Sequence, residues 1–275
     1  MAESNGEMRG ACVVDAPGDT PQRSEKPAVE QKVYKVLVGI PLKGHTPPAS
    51  YHDRMLMWRH LGYREAWDEA TKKSPRYQFA LGCVGEILTP YARKVLAESV
   101  VKAGFDYLFF VDDDMLAPED LFYKLARHDK DIVAALAFTR NPDHKPVAYQ
   151  VYEDYDPVSK QQFYYKRFIE EYPRDTLFEC DAVGFGAVLI KAEVIHRVGP
   201  SAFMGMQECG EDITFCYNAK KAGFRIWMDS SVKLGHLSSP IVVTEEYADN
   251  WAKLTPEQRE KRYGQYQRFE TENNL

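Results

Sequence analysis

Three consecutive carboxylates, Asp112-Asp113-Asp114, follow directly on the apolar run Leu108-Phe109-Phe110-Val111. A buried parallel strand that ends at a polar site reads this way. Side chains alternate along a strand, so Asp112 and Asp114 can share a direction that Asp113 does not. Adjacent carboxylates repel unless a cation stands between them, and an all-oxygen pair suits Mg²⁺ or Mn²⁺. Such an ion would in turn bind the diphosphate of a nucleotide. The plainer alternative is an acidic surface turn, since Asp is common where strands end. The apolar run before it and the helical stretch after it weigh against that.

Other candidates lie further along the chain. Gly210-Glu211-Asp212 opens a helical stretch, where carboxylates either serve the helix dipole or leave one group poised as a general base. His236, in Leu234-Gly235-His236-Leu237, is either structural or a ligand that favours Mn²⁺ over Mg²⁺. Arg93 is either on a solvated helix face or within reach of a phosphate or base. Gly184-Phe185-Gly186 is too short for a phosphate loop, and no Walker or dinucleotide fingerprint occurs; these glycines let backbone approach a bound sugar. Tyr149, Tyr152, Tyr155, Tyr164 and Tyr165 fit a half-exposed sheet face, or a surface that stacks on sugar or base.

The elements that must hold these residues follow from pattern. A disordered tail is expected over residues 1–30, rich in polar residues, Pro and Gly. Val33 to Ile40 reads as a strand stopped by Pro41, with a loop at Lys43 to Pro48. A helix is expected over 53–73 and a strand over 78–84. The helix after Thr89 takes Thr89 as cap, Pro90 as first residue and Gly104 as stop, with Ala92, Val95, Leu96, Val100 and Val101 as its apolar stripe. Strands at 107–111 and 132–138 flank a helix over 118–128, which implies right-handed crossovers and a largely parallel sheet. A hairpin or irregular antiparallel insertion fits 148–178. A loop and strand follow over 181–190, helices over 191–198 and 211–221, a strand over 225–228, and a charged C-terminal helix or tail over 251–270.

Bulk properties narrow the field. The 275 residues are 44% hydrophobic and 28% charged, ordinary for a globular protein of one generous domain. A formal net charge of −6 argues against non-specific binding to nucleic acid or anionic membrane. No apolar stretch reaches the roughly 20 residues needed to span a bilayer. Five cysteines at irregular spacing form neither a disulfide framework nor a zinc motif, and no signal peptide is evident, so a cytoplasmic setting is expected.

In order and spacing these features resemble a GT-A glycosyltransferase, close to the family 2 type, over roughly residues 33 to 240. The resemblance implies an α/β fold with a mostly parallel, Rossmann-like central sheet flanked by helices and a small antiparallel insertion. It implies a catalytic domain over 31–245 and a C-terminal helix or tail over 246–275. It also implies roles. Pro41 and Lys43 would belong to the donor-binding loop. Arg93 would approach the nucleotide, although the Asn that usually follows is Lys94 here. In the Asp-x-Asp motif, Asp112 would face the ribose and Asp114 the metal, with Asp112 and Asp113 counted among the donor-binding residues. Gly184 and Gly186 would lie near the donor sugar. Asp212, beside Glu211, would be the base of an inverting reaction, and His236 would join Asp112 and Asp114 around Mn²⁺ or Mg²⁺.

The donor so implied is a nucleotide sugar, UDP-linked being the commonest family choice. The acceptor stays open between polysaccharide, a small molecule and a modified DNA base, for which Lys261, Arg262, Tyr263, Tyr266 and Arg268 would form a local patch. Two rivals remain. A sugar-phosphate nucleotidyltransferase would need a Gly-rich basic loop after the first strand, which Pro41-Leu42-Lys43-Gly44-His45 does not supply. A non-catalytic binder of sugar nucleotide or glycan would be expected to have lost the Asp-x-Asp, Glu-Asp and His set.

Overall fold

β-branched and apolar residues concentrate in Val33–Pro41, which forms strand β1. The computed structural model describes residues 32–42, 48–158, 160–204, 209–238 and 241–262, all within the unit Gln31–Leu275. The expected tail over 1–30, Lys43 with its loop, and Tyr263, Tyr266 and Arg268 lie outside the described residues. Helix α1 (Pro48–Ala70), β2 (Arg76–Val84), α2 (Thr89–Ala103), β3 (Tyr107–Val111), β4 (Met115–Leu116), α3 (Leu121–Ala126) and β5 (Ile132–Leu136) follow. Then come β6 (Ala148–Asp156), β7 (Gln161–Phe168), β8 (Leu177–Cys180), β9 (Ala182–Val183), β10 (Ala187–Lys191), α4 (Ala192–Val198) and a 3-10 turn, Pro200–Phe203. Helix α5 (Glu211–Lys221), β11 (Ile226–Lys233), β12 (Gly235–Ser238), β13 (Ile241–Val243) and α6 (Glu245–Ala252) complete the described order.

The central sheet has seven strands in the order β2-β1-β3-β10-β5-β11-β8. Strands β1, β2, β3, β5 and β11 run one way, while β10 and β8 oppose them. Two small antiparallel sheets, β13-β12-β4 and β7-β6-β9, adjoin it. Alternation along β3 sorts the core onto two faces. Leu108 and Phe110 pack with Leu96, Val100 and Phe215 from α2 and α5. Phe109 and Val111 pack with Met57, Leu61, Leu121 and Phe122 from α1 and α3. Helices therefore cover both faces of the mixed α/β sheet.

Several boundaries differ from expectation. Thr89 is already helical and Leu88 takes the cap position without a side-chain bond, because Pro90 serves equally well in the first turn, where amide donors have no partner. The buried side of α2 is Ala92, Arg93, Leu96, Ala97 and Val100, and Val95 and Val101 are exposed. Gly104 ends α2 in the left-handed conformation, φ 65°. Helix α3 is shorter than 118–128: a turn occupies 119–120 and Asp129 adopts φ 47°. The late strand extends to Lys233 across a register shift after Asp229. Helix α6 begins at Glu245, ahead of the expected 251–270 stretch, and Thr244 caps it by accepting from Tyr247 N at 3.1 Å. Residues 256–262 are helical again. The 148–168 stretch is an antiparallel hairpin. No described helix is long and apolar enough to cross a membrane.

Candidate active site

Arg93, Asp112, Gly184, Gly186, Glu211, Asp212 and His236 line one cleft of about 160 Å³. It lies beyond the C-terminal end of β3, where ligands of open α/β sheets bind. Strand β3 ends at Val111 and a turn follows over 113–114. The Asp112 side chain meets Arg93 of α2, and the Asp113 carbonyl meets α1. Ser50 Oγ of α1 donates to the Asp113 carbonyl at 2.6 Å, and Arg54 Nη1 to the Asp112 carbonyl at 3.3 Å. Burial depresses the pKa of Arg54, and the Asp113 charge opposes that. Asp113 does not line the cleft.

Arg93 is only 2% exposed. Its Nη2 donates to both oxygens of Asp112, at 2.9 and 3.1 Å, its Nε to Glu211 Oε1 at 3.1 Å, and its Nη1 to the Phe185 carbonyl at 3.3 Å. The rings of Phe110 and Phe185 lie 5.0 and 5.3 Å from the guanidinium carbon. The alternative of a solvated helix face is therefore wrong for Arg93. Such a fork satisfied on every side fixes both carboxylates and ties α2 to β3 and α5.

Asp114 Oδ2 stands 3.4 Å from His236 Nε2 and 3.4 Å from Arg140 Nη1, two side chains that line the cleft. The β4/β12 ladder sets His236 opposite Met115, and Leu237 N donates to the Asp114 carbonyl at 2.9 Å. His236 Nδ1 lies 2.6 Å from the Phe138 carbonyl. A carbonyl only accepts, so Nδ1 donates to it and Nε2 is the ring nitrogen that faces Asp114.

Asp212 opens α5, where its Oδ1 accepts from Ile213 N at 2.8 Å. Burial raises its pKa first and the neighbouring Glu211 charge second, against the opposing pull of Arg93. Lys166 of β7 lies over the Tyr149 ring at 4.9 Å, and burial and the Asp212 charge push the Tyr149 hydroxyl up. The glycines serve close packing of the cleft wall. A Cβ on Gly184 would come 2.8 Å from Val147 Cβ, and one on Gly186 would come 3.0 Å from Met115 Sδ. Pro41 ends β1, level with Asp112 by the β1/β3 register but away from the cleft.

Arg140 is the site residue that sequence reasoning missed. Its one signal is position, just past the apolar strand β5, and a single Arg in a loop looks like any solvated charge. Among the described residues no group of three or more His, Cys, Asp and Glu stands ready to hold a metal ion, so Asp112, Asp114 and His236 do not gather into one ligand set. Asp114 and His236 do fit as a pair. Two ligands each about 2.1 Å from one ion stand no more than about 4.2 Å apart, and theirs are 3.4 Å apart. The Phe138 bond also fixes the ring in the ligating tautomer. Substrate phosphates and water commonly complete such a site.

No protein-family model and no curated protein matches the chain. Solved structures do. A197 from STIV is 16% identical over 78% of this chain and 91% of its own, with a TM-score of 0.50, a likeness of fold. GalNAc-T7, solved with UDP, GalNAc and Mn²⁺, is 13% identical over 74% of this chain and 43% of its own, TM-score 0.47. An apo UDP-glucose pyrophosphorylase is 7% identical over 80% of this chain and 98% of its own, TM-score 0.40.

Proposed function

We propose that this protein is a glycosyltransferase that moves a sugar from a nucleotide-sugar donor, a UDP-sugar foremost, to an acceptor hydroxyl with inversion. One observation carries the reading. A single cleft at the strand ends is lined by a base candidate, Asp212, a carboxylate anchored by arginine, Asp112, and His236, whose Nε2 stands 3.4 Å from Asp114 Oδ2. Asp114 and His236 would hold Mn²⁺ or Mg²⁺, which when bound supplies positive charge against the leaving diphosphate.

The remaining work falls to the protein's own groups. Arg93 holds Asp112 in one orientation, so that its carboxylate is presented to the donor's ribose. Glu211, fixed on the other side of Arg93, adds negative charge beside Asp212 and strengthens its hold on a proton. Asp212 takes the proton of the acceptor hydroxyl as that oxygen attacks the anomeric carbon. Its bond to Ile213 N keeps the carboxylate in one orientation for that transfer.

Incubation with a panel of nucleotide sugars, with Mn²⁺ or with EDTA, tests the proposal. The expected result is metal-dependent release of one nucleoside diphosphate. Asp212→Asn should cut turnover by about 10²-fold or more while donor binding persists, the range of a lost general base. Binding without turnover in any acceptor mixture would point to a non-catalytic binder. Formation of nucleotide sugar from a nucleoside triphosphate and a sugar phosphate would point to a nucleotidyltransferase.

A further inference from the structure

The two arginines of the cleft differ in kind. Arg93 is enclosed by its partners, whereas the Arg140 side chain is 47% exposed and reaches Asp114 Oδ2 at the cleft rim. The loop around it is hydrogen-bonded on either side. Thr139 N donates to the Lys145 carbonyl at 2.9 Å, His144 N to Asn141 O at 2.8 Å, and Val147 N to Ala137 O at 3.0 Å. His144, at φ 44°, packs edge-on against Tyr247 and Trp251 of α6, 5.1 and 5.0 Å between centroids. The long side chain of Arg140 extends from this loop half-solvated.

Its charge occupies a contested position. Arg140 Nη1 and His236 Nε2 both stand 3.4 Å from the same oxygen, Asp114 Oδ2. A divalent cation held by Asp114 and His236 would bring two positive charges against each other at contact distance, in a partly buried cleft where repulsion is weakly screened. A guanidinium driven from that oxygen, inside a site holding a diphosphate, has an obvious second partner, because its fork matches phosphate oxygens.

We propose that Arg140 is a built-in counter-cation. It neutralises Asp114 in the empty cleft, gives up that oxygen to the divalent ion, and then clasps the diphosphate that enters with it. The inference rests on the cleft being the donor site. Two affinities test it, that of Mn²⁺ alone, from the electron paramagnetic resonance of the free ion, and that of UDP at saturating Mn²⁺, by calorimetry. Wild type, Arg140→Gln and Arg140→Lys are compared.

Arg140→Gln should bind Mn²⁺ alone about threefold more tightly, having lost the competing charge. It should bind UDP about tenfold more weakly, having lost one charge-assisted phosphate contact. Arg140→Lys should leave Mn²⁺ affinity near wild type while failing to restore UDP affinity fully, since an ammonium has no fork. Opposite signs in one variant are not what general damage produces. Unchanged or weaker Mn²⁺ binding by Arg140→Gln would overturn the counter-cation, and unchanged UDP binding would overturn the clasp. In both cases intact wild-type binding leaves the donor site standing. Wild type that binds neither Mn²⁺ nor UDP would remove the donor-site reading and this inference with it.

Discussion

Arg93 shows how far a residue's role depends on partners the sequence does not reveal. Asp112 lies 19 residues away and Glu211 lies 118 away, on different elements. The acidic run was legible as a strand end, but alternation stops at Val111 and the turn over 113–114 leaves Asp112 on Arg93 and Asp114 beside His236 and Arg140. Arg93→Met should cost about 3–5 kcal/mol, since it strands two carboxylates in a buried setting; urea unfolding checks this, and a loss below about 1 kcal/mol would contradict it. Asp212 carries a pH signature. Its folded pKa is raised, by burial and then by Glu211, so the protonated form is favoured by the fold. Its contribution to stability is present below the ordinary aspartate value and is lost as pH rises through the raised one. Asp212→Asn should therefore gain stability relative to wild type as pH climbs from about 3 to 7. Unfolding midpoints measured across that range check the sign, and a flat difference would contradict it.

Among the elements, β10 was hardest to read. Ala187–Lys191 inserts antiparallel between β3 and β5, yet a buried apolar strand has the same composition in either direction. Helix α2 was legible at its C-terminal glycine and at Ala92, Leu96 and Val100 of its stripe, but not at the exposed Val95 and Val101 or at Arg93, which took a buried place that periodicity reserves for apolar residues. The role of α6 was not legible at all. It follows β13, the partner of the strand that carries His236, and it is pinned through Glu245 to Tyr172 at 2.7 Å, Arg174 at 2.8 Å and Lys233 at 2.5 Å. Its Trp251, 3% exposed, packs on the His144 ring. Trp251→Ala should cost about 3–5 kcal/mol and speed hydrogen exchange at Leu237 N, the amide bonded to the Asp114 carbonyl. Global destabilisation with unchanged native-state exchange at that amide would show that α6 does not brace the metal-ligand pair.

At the scale of the molecule, five co-directional strands deliver their C-terminal ends to one side, and the two small sheets add the walls that β3 alone could not provide. The α/β order in the sequence was enough to expect that side as the functional one. The acceptor was not legible, because no local motif in the sequence names one. The net charge of −6 leaves any attraction for an anion to local basic groups such as Arg140, whose side chain lines the cleft and is 47% exposed. The most direct test of this account is donor turnover and Mn²⁺-dependent donor binding by wild type and Asp114→Ala, side by side. The account predicts that wild type binds and turns over one nucleotide sugar only with the metal, and that Asp114→Ala folds but loses both. Equal turnover by the two proteins, or turnover unaffected by EDTA, would contradict it.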